Sequence, residues 1–137
     1  MAKKTLFVDT GAWFALADKS DEHHNKAIGI YPKLLSSFRQ LITTNLVISE
    51  TYVLIRRSMG HQPAMTFLDH IAASPRVITI HSDSGLEENA VRVLREYKDQ
   101  ALSYTDAVSV AVMRQWEIEQ AFSFDQHFAT LGFTLLP

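Results

Sequence analysis

The sequence has no cysteine among its 137 residues. Disulfide scaffolds, zinc–thiolate sites and thiol nucleophiles are excluded at the outset. Long apolar runs are missing too, and none approaches the ~18 residues of a membrane-spanning helix. The opening MAKKTLFVD is basic but carries too few apolar residues before Asp9 for a signal-peptide core. A cytoplasmic protein with no membrane association is the expectation. Glycine and proline are scarce, at five and four, and no internal repeat or low-complexity linker is visible. A strong excess of one charge is lacking as well: the formal net charge of −2 gives no general attraction to nucleic acid.

What is present suits one folded domain over residues 1–137. Hydrophobic residues make up 47% and charged residues 20%, a balance that rules out disorder. A domain of this size buries roughly 68–70% of the surface its unfolded chain would expose, so its core needs no disulfide or structural metal.

Brief apolar or β-branched runs alternate with helical stretches. TLFVD (5–9), LITT (41–44), RVITI (76–80), QAFSF (120–124) and FTLL (133–136) read as buried strands. Helical patterns occupy 11–17, 22–38, 46–59, 63–73, 84–98 and 104–117. The breaks agree with this division. Gly60 suits a helix C-terminus, Pro63 the first turn of the next helix, and Ser84 with Glu87 a capping box. Pro75 and Gly132 each separate a helix from a strand. Alternating strands and helices predict a parallel α/β sheet covered by helices on both faces. In such sheets ligands bind beyond the carboxyl ends of the strands.

Four acids fall near those ends. Asp9 closes the first strand, Glu50 lies in the helix after the second, and Asp125 follows the fourth. Asp106 sits in the first turn of the helix leading into that fourth strand. Each has a purely structural alternative. Asp9 and Asp125 could be N-caps. Asp106 could complete a capping box with Ser103 and favour the helix dipole. Glu50 is harder to explain. Helical spacing places it on one arc with Leu46, Val47, Val53 and Leu54, while Ile48, Tyr52 and Ile55 occupy the other side. That pattern predicts a buried helix, in which a carboxylate needs a partner such as Arg57 or a metal ion. Taken together, converging carboxylates repel one another, and a hard divalent cation removes the conflict. Oxygen donors without cysteine favour Mg²⁺ or Mn²⁺ over zinc, and the chemistry of such sites is phosphoryl transfer, usually hydrolysis.

Four blocks now form a recognisable set: FVDTGAWFALAD, ISETYVLIRR, LSYTDAVSVAVM and FSFDQHF. In this order and spacing the chain resembles, over essentially its whole length, the PIN-domain ribonucleases, and most closely the VapC-type toxins of toxin–antitoxin pairs. The resemblance implies a three-layer α/β/α domain with a five-stranded, mostly parallel sheet. It implies that Asp9, Glu50, Asp106 and Asp125 line one pocket, bind Mg²⁺ or Mn²⁺ and serve catalysis. It also implies supporting roles for the hydroxyls of Thr10 and Thr105. The expected substrate is RNA, cleaved in single-stranded or loop regions. The expected partners are a second copy of the chain and an antitoxin protein, with Trp13, Phe14, Ile30, Leu34 and Phe38 available either for those contacts or for the core.

Setting the four acids aside turns the net charge from −2 to +2, a weakly basic shell around an acidic pocket. Arg56, Arg57, Arg92, Arg95, Lys98 and Arg114 could contact phosphate, although solvated helix faces explain them as well. DKSDEHHNKA (18–27) offers histidines and acids, but adjacent histidines on a helix diverge by about 100°, so a cap and a solvated surface are expected there. The aromatic residues are expected to pack in the core. Three other readings compete: a free-standing RNA-processing nuclease, an inactive binding module, and a phosphatase of the haloacid dehalogenase type. The last needs a second aspartate at the position of Gly11, which argues against it.

Overall fold

The computed structural model describes residues 4–137, so most of the basic start lies outside the described residues. The chain runs β1 (Thr5–Val8), α1 (Thr10–Ala17), α2 (His24–Ser37), β2 (Gln40–Thr44), α3 (Asn45–Met59), α4 (His61–Ala73) and β3 (Val77–Ile80). It continues with α5 (Ser84–Glu96), α6 (Tyr104–Gln115), β4 (Gln120–Phe122), α7 (His127–Thr130) and β5 (Thr134–Leu136).

The five strands form one sheet in the order β3-β2-β1-β4-β5, and every pairing is parallel. The central strand β1 is apolar and buried at Leu6, Phe7 and Val8, as expected for a strand covered on both faces. Right-handed crossovers dictate the layers. The chain steps from β1 to β2 to β3 in one direction, which puts α1–α4 on one face. It then returns past β1 to β4 and β5, which puts α5–α7 on the other. The α/β/α architecture read from the sequence is the observed one.

Strand order reverses between β1 and β4, where Phe7 pairs with Ala121 and Val8 with Phe122. Such a switch point opens a crevice beyond the strands' carboxyl ends. Behind it, α6 is buried continuously from Ala107 to Met113. This explains its apolar character all round, with Ala107, Ser109 and Ala111 small enough to allow close packing.

Local expectations mostly hold, with three corrections. The cap of α5 is Asp83, whose side chain accepts from Leu86 N–H at 2.9 Å, so Ser84 is the first helical residue and makes no capping box. Strand β4 ends at Phe122, leaving Ser123 and Phe124 in the loop before Asp125. The buried face of α3 is Val47, Thr51 and Ile55, whereas Glu50, Val53 and Leu54 are exposed. The arc on which Glu50 lies is thus split: Val47 is buried and Leu46 packs against the core, while Glu50, Val53 and Leu54 are exposed. Among the described residues the Glu50 carboxylate makes no ion pair with Arg57, which is also exposed. Of the five apolar residues that could serve either contacts or the core, Trp13, Leu34 and Phe38 are buried, and Phe14 and Ile30 are partly buried against it. Gly60 joins α3 to α4 alone, at φ 103°, a left-handed conformation that favours glycine.

Candidate active site

Asp9 occupies the N-cap position of α1 because β1 ends one residue earlier. Its backbone N–H still donates to Phe122 O at 3.1 Å, extending the pairing with β4. Its side chain makes no capping hydrogen bond. Instead the carboxylate, 5% exposed, accepts from Ser123 Oγ at 3.1 Å. Ser123 Oγ in turn accepts from Asp125 N–H at 3.0 Å, so one buried hydroxyl ties Asp9 to the Asp125 loop.

The other acids are held in different ways. Glu50 stands on the second turn of α3, and its Oε1 accepts from Thr10 Oγ1 at 2.9 Å. Asp106 and Ser103 do form a reciprocal capping box at the start of α6, with bonds of 3.0 and 3.1 Å. Asp125 Oδ1 accepts from His127 N–H at 2.9 Å. One oxygen of each carboxylate is thus held, and a cation would compete for the other.

All four acids line one cleft of about 390 Å³, together with Thr10, Gly11, Ser103 and Phe124. Thr105 does not line it; its carbonyl accepts from Ser109 Oγ within α6. A larger groove of about 780 Å³ lies elsewhere, walled by Trp13, Leu16, Ile55, Met59 and Phe67 among others and containing no carboxylate. His70 is the one imidazole in that mostly apolar lining, which gathers no acids to hold a cation, so the smaller cleft is the candidate site.

Electrostatics mark the same place. Burial pushes the Asp9 carboxyl up to about 7 from its ordinary 3.8, and the nearby charges of Asp106 and Asp125 act the same way. The Thr10 N–H and the Ser123 hydroxyl pull it partly back. Asp106 is also raised, first by burial and then by Asp125 and Glu50, against the lowering effect of Ser103. Mutual repulsion of this kind is what a divalent cation relieves.

His127 adds a nitrogen that the sequence reading did not single out. Its Nδ1 is 3.0 Å from Asp125 Oδ1, close enough for an ion pair. The atom is nevertheless buried without a hydrogen-bond partner. Alignment, not proximity alone, makes a hydrogen bond, so the second description is the better one. Asp106, Asp125 and His127 each present a ligand atom within 4.8 Å of the others. The carboxylate oxygens fit Mg²⁺ or Mn²⁺, whereas the imidazole nitrogen is a softer donor that Mg²⁺ does not favour. Ser123 also escaped notice in the sequence. The signal was there in SFDQH, since residues two before and two after an aspartate are the ones its turn brings back to it.

The profile of the PIN domain matches residues 6–134. A curated relative, the 23S rRNA-specific endonuclease VapC20 of Mycobacterium tuberculosis, is 35% identical over 132 residues, covering 93% of this chain and 95% of its own. The same protein is matched from strains CDC 1551 / Oshkosh and H37Rv. The crystal structure of M. tuberculosis VapC20, described as a Sarcin-Ricin loop cleaving toxin, superposes with a TM-score of 0.86 at 34% identity, covering 94% of this chain and 96% of that one. Fold, profile and identity agree along nearly the whole length: the chain belongs to the PIN-domain family, beside the VapC-type toxins.

Proposed function

We propose that this protein is a Mg²⁺- or Mn²⁺-dependent endoribonuclease and the toxin of a VapBC-type pair. The observation that carries the reading is the convergence of Asp9, Glu50, Asp106 and Asp125, from four separate segments, in one cleft at the switch point. The similarity to a 23S rRNA-specific endonuclease supports RNA as the substrate class.

In this reading the four acids hold the cation, with His127 Nδ1 available as a fifth donor. When bound, the cation neutralises the carboxylates and stabilises the negative charge that develops on the phosphodiester oxygens as water adds and the P–O bond breaks. The chain's own residues prepare that step. Asp9 releases the proton that burial makes it keep, and Thr10 orients Glu50. Ser123 fixes Asp9 relative to Asp125, so two ligands that follow different strands move as one. No basic residue is assigned to RNA. Arg114 is engaged with Glu96 at 3.3 Å and Tyr97 Oη at 3.1 Å, and Arg56 lies 2.8 Å from His61 Nδ1.

Asp9→Asn and Asp106→Asn should each reduce Mn²⁺- or Mg²⁺-dependent RNA cleavage by about 10²-fold or more, a loss typical of removing one strong stabiliser of transition-state charge. Circular dichroism should show both variants folded. Retention of activity in both would overturn the site, and a wild type inactive on RNA with either metal would overturn the function. A cytoplasmic homodimer restrained by an antitoxin belongs to the same reading. Light scattering and co-purification with the product of the adjacent gene are its measures.

A further inference from the structure

The stretch DKSDEHHNKA is only partly the cap and solvated surface that its composition suggests. Asp18 and Asp21 do organise the turn, accepting from Ser20 N–H at 2.8 Å and His23 N–H at 3.0 Å. The two histidines then diverge. His24 turns inward, its Nδ1 2.7 Å from Ala15 O, and ties α2 to α1. His23, at the N-cap position of α2, makes no side-chain capping bond.

The His23 ring instead lies flat on Phe124, with centroids 4.2 Å apart and planes within 4°. Phe124 lines the acidic cleft next to Asp125. Phe124 also meets the fully buried Phe122 edge to face, at 6.1 Å and 63°. Three rings therefore form a column from the centre of the sheet to the rim of the cleft. One face of the outermost ring is covered by Phe124, and Glu22 approaches at the ring edge, 3.3 Å from Nε2. With one face on Phe124, the side chain is still 41% exposed.

We propose that the outer face of His23 is a stacking platform for an unpaired base of the RNA beside the bond cleaved at the acids. The inference rests on the nuclease reading and adds a positioning residue to it. A flat ring held rigid from behind presents a π-surface that any base can cover, whereas a base locked in a duplex cannot reach it. The platform therefore selects for an unpaired nucleotide without reading its identity. It acts on binding and register and leaves the chemical step to the acids.

The test uses the full chain with Mn²⁺ and a short oligoribonucleotide that the wild type cleaves, carrying 2-aminopurine at each position flanking the cut in turn. Wild type should quench the probe at one of these positions. His23→Ala should abolish that quenching and raise KM about tenfold with kcat within twofold. His23→Phe should restore both. A hairpin that pairs the same nucleotide should be discriminated against by wild type and much less by His23→Ala. If His23→Ala fails to fold, His23→Gln takes its place as the non-aromatic variant. Unchanged KM and quenching in a folded non-aromatic variant would overturn the platform alone, as would failure of His23→Phe to rescue. A wild type that cleaves no RNA would overturn the nuclease reading with it.

Discussion

Asp9 shows how one buried side chain can be costly for stability. Its carboxyl is raised from 3.8 to about 7, so between those values the folded protein holds a proton that the unfolded chain has lost. Without metal, stability from this group falls as pH rises through that window, and the full penalty is present above it. Each tenfold change in acidity corresponds to ~1.4 kcal/mol, so the effect on a buried group is large enough to measure. Asp9→Asn should therefore raise the melting temperature of the metal-free protein at pH 8 by about 5 °C or more, with the difference closing towards pH 4. Thermal melts with a chelator across that range would show it. The acids themselves were legible because aspartates close to strand ends are visible in a one-dimensional pattern. Ser123 and His127 stand where a local turn at Asp125 would bring them, but their place in the cleft depends on the elements that bring Asp9 and Asp106 alongside.

At the scale of the element, α3 gives the most instructive disagreement between pattern and structure. Leu46, Val47, Glu50, Val53 and Leu54 read as one interior arc, yet only Val47 is fully buried, and Val53 and Leu54 are 38% and 37% exposed. The helix is apolar on two sides, and hydropathy alone cannot say which side meets the sheet. The polar Thr51 faces inward because its hydroxyl is satisfied within the helix, donating to Val47 O at 2.8 Å. Glu50 needs no buried partner because it is not buried. The assignment of faces predicts unequal mutational costs. Ile55→Ala should destabilise by about 2–5 kcal/mol and Leu54→Lys by no more than about 0.5 kcal/mol, read from urea unfolding midpoints. Strand and helix order was recoverable from the alternation of runs, whereas the cap of α5 slipped by one residue because Asp83, Ser84 and Glu87 all offer capping chemistry.

The whole molecule explains why charge summed over the sequence was uninformative. Four of the acids are gathered at one point, and the net value of −2 averages that point with a weakly basic remainder. A cation that binds only the gathered arrangement must stabilise the fold. Mn²⁺ at about 100 times its dissociation constant should add about 2.7 kcal/mol, reversed by chelator and much reduced in Asp106→Asn. Differential scanning fluorimetry would measure this without any RNA. The sheet topology was foreseeable in class, since alternating elements imply parallel pairing. The strand order that creates the crevice became clear only in three dimensions.

The pairing of β1 with β4 has a consequence for synthesis. The hydroxyl that anchors Asp9 belongs to a residue 114 positions later in the chain. Three of the four acids, Asp9, Glu50 and Asp106, are translated before the strand that unites them, and Asp125 follows it. Because loop closure over such a distance precedes any reward in contacts, the central seam is among the last parts to form. A nascent chain therefore carries the four acids as separate pieces, and the cleft that they line closes only when the newly made strand pairs with the oldest one.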